Sequence, residues 1–195
     1  MTRDTDTIYS VTYADHFTGS SPDWTVDPNW LQRVSDVVDM VTSRGLHAIT
    51  NVHHGKSPIC ISDTDDVDAT MWADITAADA NITQIEERFY GLWYQIGTKL
   101  ACKSNMVAFE PLNECPCDDA SDGDTVNRLN DLFLKALNDA GGFNPKRVVT
   151  LVGCAEDSIK TSEWFEAPTG YPNPWGIQFH YYSPCKSALN IPRPY

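Results

Sequence analysis

Short β-rich runs alternating with longer helical patterns predict a parallel α/β fold. Two further observations agree. Polar and ionisable residues gather where the strand runs end, which is where parallel α/β folds place their chemistry. The 195 residues, 42% hydrophobic and 21% charged, have the composition of one globular unit.

Taken in order, the first strand run is "TIYSVTY" at 7 to 13. A helix follows over 27 to 45: Asp27 suits an N-cap, Pro28 the first turn, and Leu31, Val34, Val37, Val38 and Val41 recur on one face until Gly45 stops it. "HAITNVHH" at 47 to 54 reads as the second strand. The acidic loop "SDTDDVDAT" at 62 to 70 lacks the glycine and distal glutamate of a calcium loop, so it reads as solvated. A helix over 80 to 103 leads to a third strand, "MVAFEPLNE", at 106 to 114. Leu129, Leu132, Phe133 and Leu137 stripe a helix over 123 to 142, ended by Gly141 and Gly142. "RVVTLVG" at 147 to 153, a short helix near 157 to 166 and "GIQFHYYS" at 176 to 183 complete the series. No repeat or linker interrupts it, so residues 1–195 are read as one domain.

Charge narrows the partners. With 14 basic against 27 acidic residues the net charge is −13, which excludes nucleic acid and anionic membranes as partners, since both need clustered Lys and Arg. No apolar run approaches the ~20 residues that span a bilayer, and "MTRDTDTIYS" lacks the basic and apolar regions of a signal peptide. The six cysteines (60, 102, 115, 117, 154 and 185) form no zinc spacing. "CPC" at 115 to 117 has no CxxC or histidine partner, so its cysteines are expected to be unpaired loop or core thiols. The sequon Asn81-Ile82-Thr83 matters only if the protein is secreted.

Charge in an apolar run is costly, yet "AFEPLNEC" carries Glu110, Asn113 and Glu114. The second strand run ends in His53 and His54, the third in Asn113 and Glu114, and the fifth in His180 and Tyr182, which points to one shared site. Period-two geometry puts Glu110, Leu112 and Glu114 on one face and Pro111 and Asn113 on the other, and pairs His180 with Tyr182. Glu110, deeper in the strand, is read as a buried structural carboxylate.

These residues resemble glycoside hydrolase family 5, most closely its microbial endo-β-1,4-glucanases. The likeness runs from "YSVTYADHF" through "VDPNWLQRVSDVVDMVTSRGLHAITNVHH", "WADITAADANIT", "FEPLNE" and "NDAGGFNPKRVVTL" to "NPWGIQFHYYSP". It implies an incomplete (β/α)8 TIM barrel with strands two to six of eight, and retaining cleavage of a β-glucan polysaccharide or oligosaccharide. It assigns Glu114 as acid/base, Asn113 to the sugar 2-hydroxyl and His53 as a site histidine. His180 and Tyr182 would position substrate and nucleophile, and His16 and Trp72 would be glucan contacts. It implies no cofactor and no metal, and secretion of the complete protein.

Retention needs a second carboxylate about 5–5.5 Å from the first. Glu110 is too far along the strand, about 13 Å in backbone rise. Glu156, in "GCAEDS", lies at a strand end but does not match the family's nucleophile, which sits on the seventh barrel strand. Ile8 stands where the family carries an arginine in an "RIPV" pattern, and "NEC" replaces the common "NEP". The chain alone is therefore expected to lack its nucleophile and to be an inactive part of an enzyme. The alternatives are a non-catalytic β-glucan-binding or interaction protein on this fold and, within the enzyme class, β-mannanase or β-1,3-glucanase specificity. An open arc of strands is also expected to expose two unpaired sheet edges and apolar helix faces.

Overall fold

A computed structural model of the chain describes residues 17–18, 23–52, 75 and 80–181. Two short strands, β1 (Phe17–Thr18) and β2 (Thr25–Val26), pair antiparallel ahead of the main body. Four parallel strands then lie side by side in chain order: β3 (Ala48–Asn51), β4 (Val107–Glu110), β5 (Val149–Asp157) and β6 (Trp175–His180). Helices α1 (Pro28–Thr42), α2 (Ile82–Leu100), α3 (Ala120–Ala140) and α4 (Ser158–Trp164) alternate with them. This is an α/β arrangement, an open part of a barrel, and the expected run at 7 to 13 lies outside the described residues.

Local chemistry sets the helix ends. Asp27 caps α1 by accepting from the Asn29 N–H at 2.7 Å, with Pro28 in the first turn where its missing N–H costs nothing. Asn81, the sequon asparagine, caps α2 by accepting from the Gln84 N–H at 3.2 Å. Asp119 caps α3 through Ser121 and Asp122, three residues ahead of the expected start. Gly141, at φ 72°, ends α3 in a conformation that favours glycine.

Each long helix buries one stripe against the sheet. On α2 the stripe is Ile85, Phe89, Leu92, Trp93, Ile96 and Leu100. The Trp93 ring meets Phe133 of α3 edge-on at 4.7 Å. Its indole N–H donates to the Pro111 carbonyl at 2.9 Å, so the same residue also fixes the chain as it leaves β4. Asn130 of α3 donates to the Val152 carbonyl at 2.8 Å and accepts from the Val152 N–H at 3.3 Å, pinning that helix to β5.

At the opposite end of the sheet from the strand C-termini, the buried Arg147 guanidinium has no carboxylate beside it among the described residues. It donates instead to the carbonyls of Ser104 and Val107 at 2.8 Å and of Leu100 and Lys103 at 3.1 Å, with Phe109 and Phe143 against its plane. Four carbonyls supply the negative potential that an ion pair would otherwise provide.

Two strand expectations need correction. β4 stops at Glu110, not 114, because Pro111 has no N–H for the ladder, so the alternation of faces does not reach Glu114. β5 runs on to Asp157 through an irregularity: the five steps of β5 from Val152 to Asp157 run against the two steps of β6 from Gln178 to His180. Gly153 lies in that stretch. A Cβ there would stand 2.2 Å from the Thr161 hydroxyl, so only glycine lets α4 fold back onto the strand.

β6 is the last strand of the four-stranded sheet, and its Trp175, Ile177 and Phe179 are all more than a third exposed. Among the described residues no helix is long and apolar enough to cross a membrane.

Candidate active site

Beyond Glu110 the chain turns out of the sheet through Pro111 and the fully buried Leu112 to Asn113 and Glu114. Glu114 has φ 40°, a left-handed conformation uncommon for a residue with a side chain and frequent at functional sites. Its Oε1 lies 2.5 Å from Nδ1 of His180, the last residue of β6, while 40% of its side chain remains exposed. Asn113, beside it, is half-buried.

A second carboxylate approaches the same ring. Glu156, on the irregular stretch of β5, has φ 51° next to Ala155 at φ 53°, and it is fully buried. Its Oε2 stands 3.1 Å from Nε2 of His180, an ion-pair distance, and neither buried carboxylate oxygen completes a hydrogen bond among the described residues. His180 is therefore held at both ring nitrogens, by Glu114 on one side and Glu156 on the other.

Glu110 lies beneath them, buried as expected. It accepts from the Asn51 amide at 2.8 Å and the Thr150 hydroxyl at 3.2 Å. Asn51 and Glu110 are register partners on β3 and β4, so the sheet itself brings the amide to the carboxylate.

Burial dominates the electrostatics. It raises the Glu156 carboxyl from its ordinary 4.5 to about 7, against the stabilising charge of His180, with Glu110 and Glu114 adding to the rise. It raises Glu110 as well, opposed by the Asn51 and Thr150 hydrogen bonds and the His180 charge. For His180 burial works downward, but the hydrogen bond the ring donates to Glu114 and the charges of Glu156, Glu114 and Glu110 outweigh it, and the ring is held above its ordinary 6.5. Carboxylates this close around one imidazole titrate as a unit and retain a proton near neutrality.

Glu114, Glu156 and His180 offer ligand atoms within 4.8 Å of one another. The nearest approaches are at different ring nitrogens, Glu114 at Nδ1 and Glu156 at Nε2, which suits an imidazolium between two carboxylates.

Of the residues singled out in the sequence, Glu114, Asn113 and His180 are described, and Glu114 and His180 are in contact. His16, His53, Trp72 and Tyr182 lie outside the described residues. Glu156 had been noted only as a strand-end residue, and nothing in the sequence pointed to its contact with His180.

The expectation that the cysteines of "CPC" are unpaired thiols fails for Cys117, which forms a disulfide with Cys154. That bond ties the segment following Glu114 to the stretch of β5 that carries Glu156. Cys115 is buried at 1% exposure, and burial pushes its thiol up to about 12.

The profile described as cellulase, glycosyl hydrolase family 5, matches residues 2–192. An endoglucanase B of Neocallimastix patriciarum is 28% identical over 191 residues, covering 92% of this chain and 36% of that protein. A cellulase/esterase of Acetivibrio thermocellus is 30% identical over 191 residues, covering 93% of this chain and 21% of that protein. Among solved structures, a broad-specificity endoglucanase of that family from Bacteroides salanitronis superposes with a TM-score of 0.75 at 29% identity, covering 90% of this chain and 48% of that one. The chain thus spans about a third of the first relative's length and about a fifth of the second's.

Proposed function

The chain belongs to glycosyl hydrolase family 5, and from that footing we propose that it is part of a secreted endo-β-1,4-glucanase that hydrolyses β-glucan with retention, with Glu114 as its acid/base. The contact between Glu114 and His180 carries this reading. With Oε1 held by the ring, the carboxyl is oriented to deliver a proton to the departing glycosidic oxygen and later to take one from the attacking water. Partial exposure lets a sugar reach it, and the left-handed turn aims it out of the sheet.

Asn113 is proposed to grip the sugar 2-hydroxyl. His53, Tyr182, His16 and Trp72 are proposed as further substrate contacts on the strength of the family pattern. Among the described residues, the other carboxylates beside Glu114 are Glu110 and Glu156, both buried, and we read neither as the nucleophile. The nucleophile is proposed to belong to the complete protein outside residues 1–195, so the isolated chain is expected to be inactive. The names of the relatives favour a β-1,4-glucan over mannan or β-1,3-glucan as substrate.

Hydrolysis of carboxymethyl-cellulose tests the reading. The 195-residue chain should be inert. The complete gene product should be active, and Glu114→Gln in it should lower turnover by roughly 10²–10⁴ without changing its melt. Wild-type turnover in that variant would remove Glu114 from its role. A complete product that folds, binds glucan and never cleaves it would favour the binding protein instead.

A further inference from the structure

We infer that Glu156 is a positioning residue of this site: a buried counter-charge that holds the His180 imidazolium through Nε2, so that Nδ1–H is presented to Glu114. The inference rests on Glu114 being the acid/base.

The geometry carries it. Imidazole orientation and tautomer are set by what each ring nitrogen meets. Here Nδ1 meets Glu114 at 2.5 Å and Nε2 meets Glu156 at 3.1 Å. A carboxylate faces each ring nitrogen, and two negative neighbours favour the cationic ring.

The backbone is built to bring Glu156 there. The irregular stretch between Val152 and Asp157 re-aims a side chain that a regular strand would place elsewhere. Two successive residues, Ala155 and Glu156, adopt positive φ, a cost that persists only where surrounding structure enforces it. That structure includes α4, packed against Gly153, and the Cys117–Cys154 disulfide.

The chemical benefit lies in charge balance. A lone imidazolium beside Glu114 would orient its carboxyl but also hold it ionised, which an acid catalyst cannot afford. Glu156 offsets that positive charge from the far side of the ring. Glu114 then receives an oriented donor without a net cation.

Among the described residues, the titratable groups facing the ring are Glu114 and Glu110 from the β4 segment and Glu156 from β5. Gln178, on β6 itself, lies 3.5 Å from Nε2. Asp157 is the register partner of His180, but its carboxylate is spent capping α4 through Ile159 and Lys160.

Glu156 is within reach of a second reading, because separations near 5 Å are those of a retaining acid/nucleophile pair and the site's ligand atoms lie within 4.8 Å. Its full burial, against the partial exposure of Glu114, argues for positioning instead.

The test is a nitrogen-15 NMR titration of the His180 ring in the 195-residue chain, with Glu156→Gln and Glu156→Asp compared and the signal assigned by its loss in His180→Gln. The wild-type ring should titrate above an ordinary histidine, with both nitrogens protonated at neutral pH. Glu156→Gln should bring the ring down by about one unit, a tenfold change in its protonation equilibrium. Glu156→Asp should recover at least half of that. A wild-type ring titrating at or below 6.5 overturns the inference whatever the variants do. So does an unchanged titration in a folded Glu156→Gln. Labelling of Glu156 by a 2-deoxy-2-fluoro glucoside in the complete gene product would also overturn it, making Glu156 the nucleophile. None of the ring measurements depends on hydrolysis, so a failure of the glucanase reading would show separately as inactivity of the complete product.

Discussion

Breaking the Cys117–Cys154 bond is the sharpest test of how this site is held together. The bond closes a loop with a sequence separation of 37, and the chain-entropy relation for a loop of that length gives about 4 kcal/mol of stabilisation. Urea unfolding of the chain with and without a phosphine reductant measures it. With a denaturant slope of about 2 kcal/mol per molar, the midpoint should fall by about 2 M on reduction. The double variant Cys117→Ser/Cys154→Ser should unfold at the reduced midpoint and be indifferent to reductant. Cys115 does not confuse the experiment. Its thiol is buried and held near 12, so almost none is thiolate at neutral pH and exchange with the neighbouring bond is suppressed. A reduced and an oxidised chain that unfold at the same urea concentration would refute the reasoning. The loops bearing Glu114 and Glu156 would then be held by packing alone.

Two further outcomes are expected. Glu156, raised from 4.5 to about 7, binds its proton more tightly folded than unfolded, so the stability it contributes is complete below pH 4.5 and lost as pH rises through about 7, up to about 3 kcal/mol. His180 acts in the same direction: raised above 6.5, it contributes fully below that value and loses its contribution as pH rises through its folded pKa. Asp119, Asp139 and Asp157, all lowered by hydrogen bonds, contribute above 3.8 and lose that contribution in acid. Urea midpoints should therefore fall from about pH 5 to about pH 8, and Glu156→Gln should flatten that limb; a rising limb would contradict the assignment. Arg147→Met strips the donor from four carbonyls and should cost about 3–5 kcal/mol, read as a drop of roughly 10 °C in melting temperature. Arg147→Lys should recover only part, because one ammonium cannot serve four carbonyls.

The helices were legible because their signals are local. Asp27 with Pro28, and the stripe Leu129, Leu132, Phe133 and Leu137, each state an end or a face within a few residues. Glu110 was legible for a similar reason, since a carboxylate inside an apolar strand run has to be buried and paired. The end of β4 was misread because "FEPLNE" keeps an apolar rhythm past the strand; Pro111, which cannot donate to a ladder, was the signal available. What depends on the juxtaposition of strands left no trace. Cys117 meets Cys154 only because β4 and β5 lie side by side, and Glu156 meets His180 only because β5 is irregular where it passes the end of β6. Gly153 hinted at an irregularity, but a strand glycine does not say which later side chain will be re-aimed.

The three glutamates around His180 show why residue type alone could not sort them. Each meets the cost of burying charge by a different device. Glu110 takes neutral donors from Asn51 and Thr150 and stays below the site. Glu156 takes only the nearby charge of the ring, and holds a proton more readily than an ordinary carboxyl. Glu114 alone keeps part of its side chain in solvent while one oxygen is held. Exchange with a substrate requires an accessible oxygen, and orientation requires a held one. Only the residue at the strand exit, turned outward by a left-handed backbone, satisfies both, so the gradient of burial from Glu110 to Glu114 also orders them from support to chemistry.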